Sequence, residues 1–190
     1  ALMENRVLML SVNSLSILMF ISPYFYVKKL NHYSIKLFEV YSIPIALIIL
    51  STLFFMVLNS VVIEWNKSIV FPEFMNGFES WAYNKEKELE KITIFLVSFE
   101  DNWEYFFGIL TIAIIPGICE EYLFRGVFQR NFYLISKNIH LSILISAFLF
   151  SALHLQFYGF FPRMLLGILF GYVYFWSGSL IYPIIGHVFN

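Results

Sequence analysis

Two adjacent glutamates, Glu120 and Glu121, lie inside the apolar stretch Phe106 to Phe124, where a carboxylate costs several kcal/mol of insertion energy. From Tyr105 to Asn190 they are the only acidic residues of the chain. An ionisable group within a membrane span must face a bundle interior or a wet cavity and find a partner there, so it marks a functional site by default. The partners at hand are Arg125, His154 and His187. A carboxylate among imidazoles can move protons. If Glu120, His154 and His187 converge they can also hold zinc with an open position, although the chain has no HExxH spacing. Cys119 adjoins Glu120 but points about 100° away on an ideal helix, which argues against a thiol nucleophile.

Spacing indicates how these groups meet. Glu121 and Arg125 are i,i+4 neighbours in the orientation that favours an ion pair, which would leave Glu120 free to titrate. With a hairpin turn near Lys137 and Asn138, Glu120 and His154 each lie roughly 25 Å along their helices from the turn, at one depth. Pro116 removes a backbone donor four residues before Glu120, so a kink beside the site is expected. Phe150 is placed to pack on His154, and His187 and Asn190 share one helix face at i,i+3. His32 and His140, near helix ends, read as structural.

The elements that must position these residues are membrane helices. Hydrophobic residues make up 59% of the chain and charged ones only 13%, and the mean hydropathy is +0.74. The 190 residues fit an all-α, polytopic transmembrane helix bundle of about six spans, the last cut short. The expected spans are Val7 to Val27, Ser42 to Ile63 with Pro44 in its first turn, Trp103 to Ile135, His140 to Phe157, Pro162 to Trp176, and Leu180 to the end. The first is too long for a signal-peptide core and lacks a small-x-small cleavage site, so it reads as retained. The last offers about half a span, from which the natural chain is expected to continue past Asn190.

Between the second and third spans, residues 64–104 carry nine acids and four lysines and read as a solvated surface helix leading into Ile92 to Phe99 at the interface, or else as a lid that touches substrate. Residues 85–91 offer charge pairs at i,i+4. Residues 1–103 thus supply N-terminal spans and a polar surface segment, and 104–190 the chemical core, of one integrated membrane domain. Gly167 and Gly171 form a small-xxx-small face for close helix packing. The net charge of -1 offers nothing to nucleic acid, and the single cysteine excludes an intrachain disulfide.

Glu120-Glu-Tyr-Leu-Phe-Arg125 fits an EExxxR motif, Phe150-Ser-Ala-Leu-His154 fits FxxxH, and His187 with Asn190 is similar to a final HxxxN-type motif. In this order the three motifs resemble the CAAX protease and bacteriocin-processing (CPBP) family of intramembrane glutamate endopeptidases, related to the Ras-converting CAAX endopeptidase. The resemblance covers roughly Phe106 to Asn190, while Ala1 to Trp103 carries no family motif. One departure is that Asn190 follows His187 by three residues where four is usual, although both offsets face one side of a helix and bacterial members often use the nearer.

The resemblance implies a multi-pass protein of a bacterial inner membrane that cleaves a peptide or protein substrate without metal or cofactor. Glu120 would be the base that activates water, and His154 would hold or polarise that water. His187 and Asn190 would donate to the oxyanion, with Glu121 and Arg125 positioning and tuning. The substrate would be a prenylated CAAX peptide, a bacteriocin-like precursor or the membrane-anchored tail of a surface protein. The alternatives are a non-catalytic immunity or scaffold protein, a zinc-dependent protease using the same residues, and a transporter with Glu120 as proton relay.

Orientation follows from the lysines. Lys28, Lys29 and Lys36 in the first connection and Lys137 in the third-to-fourth turn place those loops in the cytoplasm, with Ala1 and residues 64–104 opposite. Arg163 favours the reverse. In a Cys119→Ser background, an impermeant thiol reagent added to intact cells should modify Asn84→Cys and spare Asn138→Cys; the opposite pattern inverts the topology.

Overall fold

The computed structural model describes residues 44–190 and, ahead of them, Leu10, Ser11, Ser14, Leu15, Leu18, Ser22, Pro23, Phe25 and Lys29, all in helical conformation. The expected first span and the Lys28 to Lys36 connection otherwise lie outside the described residues. Helix α1, Ile45–Lys67, starts directly after Pro44, whose fixed φ suits a helix entrance. It passes the expected end at Ile63 because Glu64, Trp65 and Asn66 continue the turn, and Ser68 closes it by bonding the Glu64 and Trp65 carbonyls. Of its residues only Ile48, Thr52 and Asn66 are buried, which leaves a lipid-facing apolar surface.

Helix α2, Asn76–Val97, is the polar segment. Its lysine-glutamate run yields Lys85 to Glu88 at 2.9 Å, an i,i+3 pair; the expected i,i+4 pairing does not form because that spacing sets like charges together, Glu86 with Glu90 and Lys87 with Lys91. Phe78 of α2, Phe71 and Phe157 pack edge to face, tying this helix to the far end of the core.

Helix α3 spans Asn102–Ser136, 35 residues, much longer than the ~30 Å of hydrocarbon requires. Asp101 caps its start by accepting from the Glu104 N–H at 2.7 Å. Two π-helical turns interrupt it, Ile109–Ile114 and Tyr122–Gln129. The first lies just before Pro116, which cannot donate to the Ile112 carbonyl, so the disturbance expected at this proline takes the form of a widened turn. The second begins immediately after Glu121 and carries Arg125.

Lys137, in left-handed conformation with φ 54°, and Asn138, whose side chain accepts from the Leu141 N–H, make the expected hairpin turn into α4, Ile139–Ala152. Helix α4 stops five residues short of the expected Phe157. Ser151 Oγ donates to the Phe160 carbonyl, and Leu155 turns the chain with φ 54°. The shortened helix has 14 residues, too few to cross alone. The non-helical backbone after it is held by Asn66, fully buried, which donates to the Phe157 carbonyl and accepts from the Phe161 N–H, both at 3.2 Å.

Helix α5, Phe160–Ser177, packs along α4 on its glycine face. A Cβ on Gly167 would lie 3.0 Å from that of Ala147, and one on Gly171 would lie 2.8 Å from Ile143 Cγ2, so the two helices approach as the small-xxx-small pattern predicts. The short α6, Ile181–Val188, completes six helices among the described residues, three of them long and apolar enough to cross a membrane. No strand occurs among the described residues, and this is a membrane helix bundle.

Candidate active site

The site is built where α3, α4, α5 and α6 meet. Glu121 is completely buried and Arg125 is 1% exposed; their side chains pair at 2.7 Å through Arg125 Nη1 and Glu121 Oε1. The second guanidinium nitrogen, Nη2, donates to the Gly167 carbonyl at 3.0 Å. One turn along, Gln129 repeats the gesture towards the Gly171 carbonyl at 3.1 Å. The glycine face of α5 therefore does two things: it lets α4 approach, and its carbonyls receive the polar side chains of α3. Arg125 also lies over the Phe150 and Phe170 rings, 5.0 and 5.6 Å from their centroids.

His187 completes the cluster from α6. Its Nδ1 lies 2.8 Å from Glu121 Oε1 and its Nε2 3.8 Å from Glu120 Oε2. Beside Arg125 the Glu121 carboxylate can only accept, so the proton of this contact sits on Nδ1 and the tautomer is fixed. Nε2 is then the atom that faces Glu120. The 3.8 Å gap is too long for a direct hydrogen bond and suits one bridging water. Phe170 stacks on the imidazole at 5.7 Å and 22°, fixing the plane of the ring. Gly117 makes the approach possible: a Cβ there would lie 2.9 Å from Val188 Cγ2 and 3.7 Å from His187 Cβ.

His154 stands on the other edge of Phe150, with ring centroids 5.1 Å apart, while His187 meets Phe150 at 6.1 Å. It sits in the turn after α4 and is not helical at i+4 from a continuing span. Its Nδ1 is 2.7 Å from the Phe150 carbonyl, which makes Nδ1 the donor and leaves Nε2 open. Phe124 and Phe150 touch across the hairpin at 5.1 Å, and Ser146 Oγ donates to the Phe124 carbonyl. Glu120 precedes Phe124 by four residues and His154 follows Phe150 by four.

Asn190 departs from expectation. Helix α6 ends at Val188, so Asn190 lies beyond it and is exposed, with its N–H bonded to the His187 carbonyl at 3.1 Å. It lines a cavity of ≈ 410 Å³ between α1, α2 and α5 and is not bonded to the glutamate cluster. Cys119 is buried and free. Among the described residues no three His, Cys, Asp or Glu side chains gather at metal-binding separations.

Three residues matter here that sequence reasoning passed over. Phe170 orients His187, and Asn66 holds the loop that carries His154. Arg163, counted above only as a loop charge, is half-buried at the start of α5 and lies within electrostatic reach of both Glu120 and Glu86. The signal for Arg163 was present: it is a lone cation at the head of an apolar span, and such a charge marks function for the same reason as the glutamates.

Residues 102–190 match the family described as Type II CAAX prenyl endopeptidase Rce1-like. No curated protein and no solved structure matches the chain.

Proposed function

Through residues 102–190 the chain belongs to the Rce1-like family of type II CAAX prenyl endopeptidases, and on that premise we propose that it is an intramembrane endopeptidase in which Glu120 activates the attacking water. The observation that carries this reading is the asymmetric environment of the two glutamates. Glu121 Oε1 takes both Arg125 and His187 while its buried Oε2 has no partner, whereas Glu120 keeps a partly exposed carboxylate 3.8 Å from His187 Nε2.

Charge pairing assigns the roles. Arg125 neutralises Glu121, so the ion pair acts as a fixed support that holds His187 through Nδ1. Glu120 takes a proton from water as the water attacks the peptide carbonyl. In its doubly protonated form His187 donates from Nε2 to the oxyanion that develops, while Nδ1 keeps its bond to Glu121, which stabilises the imidazolium. His154, held by the Phe150 carbonyl, presents Nε2 to orient the water. The proton on Glu120 then passes to the leaving amine. Asn190, two residues past the end of α6, is the proposed second oxyanion donor. The substrate is a peptide or protein, prenylated or membrane-anchored, met within the bilayer of a bacterial inner membrane.

Two alternatives are separated by one set of measurements. Purified protein in nanodiscs should hydrolyse a lipid-anchored peptide with no loss of rate in chelator. Hydroxylamine should yield no hydroxamate, because attack by water forms no acyl-enzyme. Chelator-sensitive cleavage that zinc restores would transfer the reading to a metalloprotease using Glu120, His154 and His187. Absence of cleavage for any peptide class, with substrate still bound, would indicate a scaffold.

A further inference from the structure

The hairpin end of the bundle holds another cavity, of ≈ 310 Å³, between α3, the start of α4 and the end of α5. Gln129, 2% exposed, stands in its wall. Its Nε2 donates to the Gly171 carbonyl at 3.1 Å, whereas its buried Oε1 has no hydrogen-bond partner. Buried acceptors are nearly always paired, so an orphan on a residue that lines a cavity calls for a donor from outside the protein. Gly171 leaves this amide its room, since a Cβ there would lie 3.0 Å from Oε1. The next residue, Arg130, is half-buried in the same wall and supplies the only formal charge of the lining among the described residues. Tyr133 and Tyr174 add two phenol hydroxyls, and Tyr174 lies within electrostatic reach of Arg130. The depth is that of a membrane surface. Arg130 precedes Lys137 by seven residues, roughly 10 Å along the helix from the turn. Beside it, Tyr172 stacks on Trp176 at 5.2 Å and lies 2.7 Å from His140 Nδ1, and Trp176 is 71% exposed. Such a cluster of tyrosine and tryptophan is the aromatic belt of a membrane–water interface.

We propose that this cavity binds the headgroup of an anionic phospholipid, phosphatidylglycerol, with the phosphodiester on Arg130 and a glycerol hydroxyl donating to Gln129 Oε1. A guanidinium carries five N–H donors in a fixed fork, enough to hold two phosphate oxygens as well as a protein partner. The single positive charge of the described lining matches the single negative charge of a phosphodiester. The hydroxyl supplies the donor that Gln129 Oε1 lacks. The ammonium of phosphatidylethanolamine is also a donor, but the described lining offers it no carboxylate. Ile139 and Phe175, the latter 47% exposed, give the start of an acyl chain an apolar wall. Basic pockets between membrane helices near the interface are suited to such headgroups. The lipid would fasten α3 to α5 at the hairpin end. Arg130 follows Glu120 by ten residues, roughly 15 Å along α3, so the site stands apart from the reaction centre and the inference is independent of the endopeptidase reading.

The test is native mass spectrometry of the full chain in a neutral detergent, titrated with one dioleoyl lipid at a time. Phosphatidylglycerol should bind about tenfold or more tighter than phosphatidylcholine, the scale of one charge-assisted hydrogen bond. It should also bind tighter than phosphatidylmethanol, which keeps the phosphodiester charge and has no hydroxyl. Arg130→Gln should abolish the preference over phosphatidylcholine, and Arg130→Lys should keep part of it. Lys137→Gln removes a cation at the same end that does not line the cavity and should leave the preference unchanged. Ile139→Trp narrows the cavity, keeps every charge and should lower the preference too, which serves where Arg130→Gln fails to fold. Unchanged phosphatidylcholine binding shows that a variant is folded. Equal binding of phosphatidylglycerol and phosphatidylcholine, or of phosphatidylglycerol and phosphatidylmethanol, would overturn the proposal. So would a preference that survives Arg130→Gln, or one that Lys137→Gln lowers as much, the mark of general surface attraction. Displacement of the lipid by millimolar glycerol 1-phosphate would overturn it as well, by assigning the site to a soluble phosphate.

Discussion

Glu120→Gln is expected to lower peptide hydrolysis by about 10²- to 10⁴-fold, the usual share of a positioned general base, while substrate still binds. The amide keeps the size of the carboxylate and its place 3.8 Å from His187 Nε2, so the fold has no reason to change. The loss should appear in kcat with KM nearly constant, since the base acts only in the transition state. Single-turnover kinetics with a lipid-anchored peptide would measure it, and the inert variant can also trap native substrates for identification. Retention of full turnover by Glu120→Gln would remove Glu120 from the chemistry and with it the mechanism drawn above.

The second large effect lies in stability. Arg125→Ala leaves the Glu121 carboxylate, 0% exposed, with the His187 Nδ1–H as its remaining partner, and it also vacates the space between Phe150 and Phe170. Removing one member of a buried pair costs about 3–5 kcal/mol, because the other charge stays desolvated. Replacing both, as Glu121→Gln with Arg125→Met, removes the two charges together and should recover most of that loss. Hydrolysis should not recover with it, since a neutral amide at position 121 no longer supports an imidazolium at His187. Denaturant unfolding of Arg125→Met, Glu121→Gln and their double variant in one detergent gives the coupling. Strictly additive losses would mean that the ion pair contributes nothing to the bundle as a pair.

The ion pair itself was legible in the sequence because i,i+4 spacing on a helix is a local relation, and it survives even a π-helical turn at Arg125. The hairpin register was legible for a similar reason. Helical rise per residue is nearly constant, so counting from Lys137 and Asn138 sets Glu120 and His154 at one depth, and four residues nearer the turn on each helix the Phe124 and Phe150 rings meet. The extent of α4 was not legible. Hydropathy continues apolar through Leu155, but the helix is ended by Ser151 bonding the Phe160 carbonyl and by Asn66, which lies far away in sequence and holds the loop. Sequence reasoning also placed Asn190 on the face of His187, because it assumed a helix that continues; α6 ends at Val188.

Arg163 shows the same division. Counted as a loop charge, it weighed against the orientation favoured by the lysines, whereas its guanidinium lies in a cavity of the core, where it is held by Gln156 for reasons unrelated to topology.

Composition, the three motifs and the helical repeat determined by themselves that this is a helical membrane protein with two intramembrane carboxylates, one of them paired, because burial in lipid and i,i+4 geometry are set by neighbouring residues alone. Which nitrogen of His187 faces Glu120, which rings clamp Arg125, where α4 stops and what surrounds Arg163 were decided only by tertiary structure. Each depends on contacts between α3, α5 and α6 or between α1 and the loop after α4, and the closeness of those contacts is set by glycines whose effect is felt only when a second helix arrives.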